Sequence, residues 1–424
     1  MAGKGLIISI DYTDEYCQAC YFSNRHLKAE SVSAGADVMR YLIPSVLCYD
    51  PEQSEWAIGN AALRLSGKAG VVLFRDLMKN VFAGTSAYVN GKSYTAADLA
   101  AIYFKKMLEF IQVRTSIMTV ENITVTMRKT GNDIKSAVEK IFGLLNISPS
   151  KVKLLSSAES FGYYILNEPA ELWEKGALLF DFSNDGFFAK QLNFSVHGNR
   201  KIVYIDEYDF SNEFAVFNLA SGALSAQLDK KLTNLYLDFS ANSGVNSVYF
   251  TGEGFDDQWF ETTLNTVSAS GRAFKGNNIY AKGACLAGYL RAVGKECSYP
   301  VLCNGRTRTD ISLQAWDDGK LIEILLSPAA VDWYDAGYEG DFILEEERSI
   351  TFKIRSVQNE QSFLTEVDLS AFPIRPEKTT RVGITIRYIN EMECVITILD
   401  KGFGDFYPDG GNVVSKNINL EGFF

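Results

Sequence analysis

Histidine is almost missing from this chain: His26 and His197 are the only two in 424 residues. They lie far apart and neither sits in a triad-like setting, which argues against hydrolase chemistry built on histidine. A long hydrophobic run is also missing, since no stretch approaches the roughly 18 apolar residues needed to span a bilayer. There is no basic excess either: 41 Lys and Arg against 52 Asp and Glu leave a net charge of −11, with no basic stripe to meet a nucleic-acid backbone. The sequence MAGKG runs straight into a strand, without the basic region, apolar run and cleavage site of a secretory signal. Cysteine is sparse and odd in number, seven in all, which fits free thiols in a reducing compartment. These absences lead us to expect a cytoplasmic protein. Without export, the glycosylation-type triplets at Asn122, Asn146 and Asn193 carry no meaning.

What is present is ordinary for a globular chain, 47% hydrophobic and 22% charged. At roughly 100–200 residues per domain, the length predicts two or three domains, each able to bury a core. The charge is uneven. Residues 306–424 hold 21 acidic and 12 basic side chains, a net −9, leaving −2 for residues 1–305.

Strand-like alternation covers residues 6–12, 16–22 and IPSVLCYD at 43–50, and EWAIGNAALRLSGK reads as a strand end entering a short helix. TAADLAAIYFKKMLEFIQ has helical spacing with Thr95 as its cap, ENITVTMR at 121–128 is a strand, and NDIKSAVEKIFGLLNI predicts a helix ending near Pro149. VKLLSSAESFGYYILNE then reads as a strand, a turn and a helix. A second strand cluster spans 177–208, followed by a helix over about 212–238, the strand SVYFTG, a helix at 256–269 and a small-residue helix at 281–293. Two halves of this kind predict a duplicated α/β fold with a cleft between them. Beyond a linker at 295–309, short alternating strands from TDISLQAW to ECVITIL predict a β-sandwich over 310–424.

The two halves open on matching segments, LIISIDYTDEYCQA at 6–19 and ALLFDFSNDGFFAKQL at 177–192. In each, an apolar strand ends in an aspartate, Asp11 or Asp181, followed by a tight turn. The turns lack the glycines that let backbone amides wrap a phosphate. Cys17 and Cys20 form a CxxC, but on a strand their side chains point to opposite faces, so buried thiols are expected rather than a metal site.

The order of YLIPSVLCYD, WAIGNAAL, ENITVTMRKTGNDIKSAVEKIFGLLNIS, SSAESFGYY and YAKGACLAGY resembles the seventy-kilodalton heat-shock chaperones of the DnaK type, within the sugar kinase, actin and chaperone ATPase superfamily. The segment from Ser349 to Gly402 is similar to that family's peptide-binding β-domain. The resemblance implies an actin-like ATPase domain over 1–294, with lobe I at about 1–175 and lobe II at about 176–294, the second lobe reduced because 192–247 is too short for the subdomain that covers the adenine. It implies ATP with magnesium as the ligand pair, held by Asp11 and Asp181 as metal and catalytic positions, with Glu159 at the interlobe crossing and Arg75 where a lysine is expected. The alternative reading is that each aspartate caps the turn after its strand. Phosphate contacts would fall on Thr13 and Asp14 in the first loop and on Ser183, Asn184 and Gly186 in the second, with Gly252 and Gly254 on the adenosine side. Asp14, Glu15 and Asp185 add negative charge where phosphates would sit. The expectation is therefore a pseudo-ATPase with no bound cofactor.

In the C-terminal region the resemblance implies an extended-peptide groove. Trp316, Trp333, Tyr334 and Tyr338 lie where they could line it or, alternatively, pack the β-domain. An acidic surface would favour partners with basic flanks. Three functions follow as expectations: a chaperone-like peptide- or protein-binding protein, a slow ATP-dependent chaperone ATPase, or an actin-like scaffold that docks a fixed partner.

Overall fold

The computed structural model describes residues 5–33, 41–197, 200–215, 222–242, 244–295, 297, 299–345, 348–359 and 361–423. It is a mixed α/β protein with several sheets. The chain divides into two compact units, Met1–Asn193 with Ile205–Ser298, and Phe194–Tyr204 with Tyr299–Phe424.

The first unit is built around two sheets. In chain order the strands of the first are β1 (Leu6–Tyr12), β2 (Tyr16–Ser23), β3 (Lys28–Ser31), β4 (Val120–Met127) and β5 (Val152–Ser156). They lie in the order β5-β4-β1-β2-β3, with β1, β4 and β5 parallel and β2 returning antiparallel. The second sheet is built from β6 (Ala177–Ser183), β7 (Gly186–His197), β8 (Arg200–Asp209), β9 (Ser247–Thr251) and β10 (Arg272–Lys275), of which Phe194–Tyr204 is counted with the second unit. Its order, β10-β9-β6-β7-β8, repeats the pattern, with β6, β9 and β10 parallel and β7 antiparallel to β6. Register carries the likeness down to single residues: Asp11 lies between Gln18 and Thr126, and Asp181 lies between Phe188 and Thr251. The central strands are apolar because both faces are covered: Ile8, Ile10, Leu178 and Phe180 are all fully buried.

Besides a short helix at Gly59–Leu65, the helices described for this unit are α1 (Leu77–Ala83), α2 (Ala96–Thr115), α3 (Asn132–Gly143), α4 (Ser157–Leu166), α5 (Gly222–Asn242), α6 (Glu261–Ser270) and α7 (Ile279–Ala292). Thr95 caps α2 as expected, accepting the Asp98 amide while Asp98 reaches back to the Thr95 amide. No turn separates β5 from α4, because Ser156 ends the strand and caps the helix at once. The predicted helix before Pro149 stops at Gly143, where the chain tightens into turns and Asn146 takes a φ of 57°. Of the helix expected over 212–238, residues 216–221 lie outside the described residues, and α5 begins at Gly222. The close seating of α7 explains the small residues of YAKGACLAGY. A Cβ on Gly283 would lie 1.7 Å from the Ser160 carbonyl oxygen, and the Ser9 hydroxyl donates to the Ala281 carbonyl at 2.6 Å.

In the second unit the main strands are β11 (Thr309–Asp317), β12 (Lys320–Ser327), β13 (Gly337–Leu344), β14 (Ser349–Ser356), β15 (Ser362–Asp368), β16 (Thr380–Asn390), β17 (Glu393–Asp400) and β18 (Val413–Asn419). They form two four-stranded sheets, β12-β11-β14-β15 and β13-β16-β17-β18. Alternation places Ile311, Phe352 and Ile354 of one sheet and Val382, Ile384, Ile396 and Ile398 of the other in one shared core. Phe194–Tyr204 belongs here as well: Val203 and Tyr204 pair with Val301 and Leu302, and the Tyr204 hydroxyl donates to the Val357 carbonyl at 3.1 Å.

Candidate functional site

The ends of β1, β4, β6 and β9 face a crevice of about 80 Å³ lined by Asp11, Thr13, Arg128, Asp181, Ser183 and Glu253, among others. Carboxyl ends of parallel strands are where α/β proteins commonly place their chemistry. Its size is the first constraint, because nucleotide-sized ligands need pockets of about 300–1000 Å³.

Asp11 and Asp181 do converge here, as the matched segments predict. Asp181 is buried, accepts a hydrogen bond from the Tyr280 hydroxyl at 2.9 Å, and lies 3.5 Å from Arg128 Nη1. Burial pushes the Asp11 carboxyl up to about 7; the Asp181 charge adds to the rise, and Arg128 and Lys190 oppose it. Lys190, 1% exposed, pairs with Glu207 at 3.3 Å and lies 5.3 Å from the centre of the Tyr280 ring. Arg128, the residue after β4, stacks its guanidinium 3.9 Å from the centre of the Phe188 ring and brings Nη2 to 3.9 Å from Asp185. Sequence reasoning passed over Arg128, Lys190 and Tyr280. Only Arg128 carried a signal, its place at the carboxyl end of a parallel strand beside β1.

Four amides of the two turns are bonded within the chain. In the first turn, the Thr13 amide donates to the Tyr16 carbonyl at 2.9 Å, and the Glu15 and Tyr16 amides donate to Thr13 Oγ1 at 3.3 and 3.1 Å. Where the resembled family has glycine, Thr13 closes the turn with its own hydroxyl. Asp14 turns away to accept the Met78 amide at 2.9 Å and the Lys79 amide at 3.4 Å, meeting the first turn of α1 with a carboxylate. In the second turn, the Asn184 amide donates to Glu253 Oε1 at 2.8 Å. Burial raises the Glu253 carboxyl above its ordinary range, and the Asn184 amide opposes that rise. A carboxylate thus sits where an amide-bound phosphate oxygen would be.

The remaining expected residues fall elsewhere. Glu159 caps α4, with Oε2 accepting the Ser156 amide at 3.0 Å, so its position three residues into the helix explains it. Arg75 is exposed and lines a different cavity beside α1 and α2. Gly252, at φ +95°, and Gly254 are glycines because Phe182 leaves no room: Cβ atoms there would lie 2.2 Å from its carbonyl oxygen and 2.5 Å from its ring. Gly186, at φ +136°, likewise packs against Ser211. Ser183 lines the crevice, and its hydroxyl is buried without a hydrogen-bond partner. Together these contacts leave Asp11 and Asp181 in place but do not fit a magnesium nucleotide: the Thr13, Glu15, Tyr16 and Asn184 amides are taken, and the Arg128 guanidinium lies against Asp181 and Asp185. Among the described residues no group of three or more His, Cys, Asp or Glu side chains could hold a metal ion.

Cys17 and Cys20 enter separate cores, and burial pushes both thiols up to about 12. His26 pairs with Glu30 on the β2–β3 hairpin, and the His197 side chain lies outside the described residues. A larger groove of about 1090 Å³, between residues 56–64 and α2, shares no residue with the crevice. Among the described residues no helix is long and apolar enough to cross a membrane.

In the second unit, Trp316 is 59% exposed. Trp333 and Tyr338 are half-buried against the shared core, and Tyr334 packs edge-on to Trp333 with ring centres 5.6 Å apart. Of the four aromatic residues expected to line a groove, Trp333 and Tyr338 therefore pack the core and Tyr334 leans on Trp333. Trp316 instead shares one outer sheet face with Leu321, Leu325 and Leu364, each more than half exposed.

Residues 306–420 match a domain of unknown function (DUF8552). No curated protein matches the chain. Residues 28–305, more than half of the chain, match the C-terminal part of a family of unknown function (DUF5716), and the chain belongs to that family.

Proposed function

We propose that this is a non-catalytic protein-binding protein: a DnaK-type, actin-like body of two duplicated lobes whose nucleotide crevice is closed by its own side chains, joined to a β-sandwich that carries the binding surface. The observation that carries the reading is the bonding of the loop amides within the chain, to Thr13 in the first turn and to Glu253 in the second. The matched pairings of Asp11 with Thr126 and of Asp181 with Thr251 support the duplicated-lobe frame. The shared core of the two four-stranded sheets supports the sandwich.

Binding then falls to the second unit, where Trp316, Leu321, Leu325 and Leu364 expose an apolar face around the Lys353–Glu323 ion pair. Suppression of aggregation of a chemically denatured client, measured by light scattering, tests the chaperone form of this reading. The wild-type protein is expected to suppress it and Trp316→Glu to lose that effect; a wild-type protein without effect would sink the chaperone form. One observation favours the scaffold reading: these side chains lie on a sheet face rather than in a groove, a shape suited to a folded partner. Hydrolysis of ATP by the wild-type protein would overturn both.

A further inference from the structure

Two carboxylates that converge in a confined crevice need a counter-charge. Asp11, Asp181 and Asp185 line the same crevice. The positive charges acting on Asp11 are Arg128 and Lys190, and Lys190 is already engaged by Glu207. Among the described residues that line the crevice, Arg128 is the one basic side chain. Its contacts are those of a charge rather than of a fork: 3.5 Å to Asp181 and 3.9 Å to Asp185, longer than the roughly 2.7–2.9 Å of charge-assisted hydrogen bonds, with Nη1 buried and making no hydrogen bond. The Phe188 ring supports one face of the guanidinium, so the side chain is positioned by stacking while its charge faces the carboxylates.

We propose that Arg128 is the resident cation of this crevice, held against Asp181 and Asp185 in place of a divalent metal ion, and that removing it opens the crevice carboxylates to a divalent cation. Oxygen ligands of this kind suit magnesium and manganese. The inference is independent of the protein-binding role, because it concerns only how the crevice is neutralised.

Manganese chloride titrated into the full chain is the direct probe, read by calorimetry and by melting temperature. The wild-type protein should show neither saturable binding nor a shift. Arg128→Met should melt lower without metal, bind manganese at one site per chain, and melt several degrees higher when it is bound. Adding Asp181→Asn to Arg128→Met should abolish the manganese response and raise the melting temperature in its absence, since the buried carboxylate that lost its partner is then neutral. Should Arg128→Met alone fail to fold, recovery of the fold in the double variant supports the proposal and failure of that variant to fold overturns it. Saturable manganese binding by the wild-type protein that Asp181→Asn removes would also overturn it, as would a folded Arg128→Met with unchanged melting and no manganese response.

Discussion

At the scale of single residues, the crevice is a set of local compromises with measurable signs. Asp11 keeps its proton in the folded chain up to about pH 7, but an unfolded aspartate loses it near 3.8. Folding therefore takes up a proton between those values, and the stability this group contributes is greatest below pH 3.8 and lost as pH rises through 7. Asp11→Asn is expected to stabilise the chain by up to about 4 kcal/mol at pH 8 and by much less at pH 5, read by urea denaturation at both values. A gain that did not grow with pH would contradict the burial of this charge. Asp14 is the opposite case, a carboxylate that stabilises by capping α1. Asp14→Ala should cost about 1–2 kcal/mol in the same measurement. Asp11 and Asp181 could be found because each lies near the end of an apolar strand. The Arg128–Asp181 and Asp14–Met78 contacts could not, because partners 53 and 64 positions apart meet only once the sheet has formed.

At the scale of elements, local chemistry was legible wherever it acts within a few residues. Thr95 with Asp98 marks the start of α2, and the alternation of β11, β14, β16 and β17 marks a face buried in the shared core. β18 escaped notice because, along Val413–Asn419, only Ile418 is buried, which leaves an edge strand with almost no apolar pattern. Glycines were the least legible signal. Gly252 and Gly254 look like an adenosine-side motif in sequence, yet they are small to admit Phe182. The same reasoning predicts unequal costs along α7. Gly283→Ala drives a Cβ to 1.7 Å from backbone at Ser160 and should cost about 1–3 kcal/mol or more, whereas at Gly288 the contacts at 2.9 Å are the side-chain ends of Asn122 and Thr124, which can yield. Thermal denaturation of the two variants should show the larger loss at Gly283, and equal losses would contradict the close seating of α7.

At the scale of the whole molecule, the chain combines two sheets of matching pairing with an all-β second unit that holds most of the net negative charge. That architecture would suit a nucleotide-driven machine. The chemistry of the crevice argues for a protein that keeps the frame and has filled it from within, using Thr13, Glu253 and Arg128 where a ligand would bring its own charges. Calorimetric titration of magnesium ATP into the full chain tests this most directly. No saturable heat and no release of phosphate is the predicted result. A saturable isotherm that Asp181→Asn abolishes, with phosphate released by the wild-type protein, would contradict it.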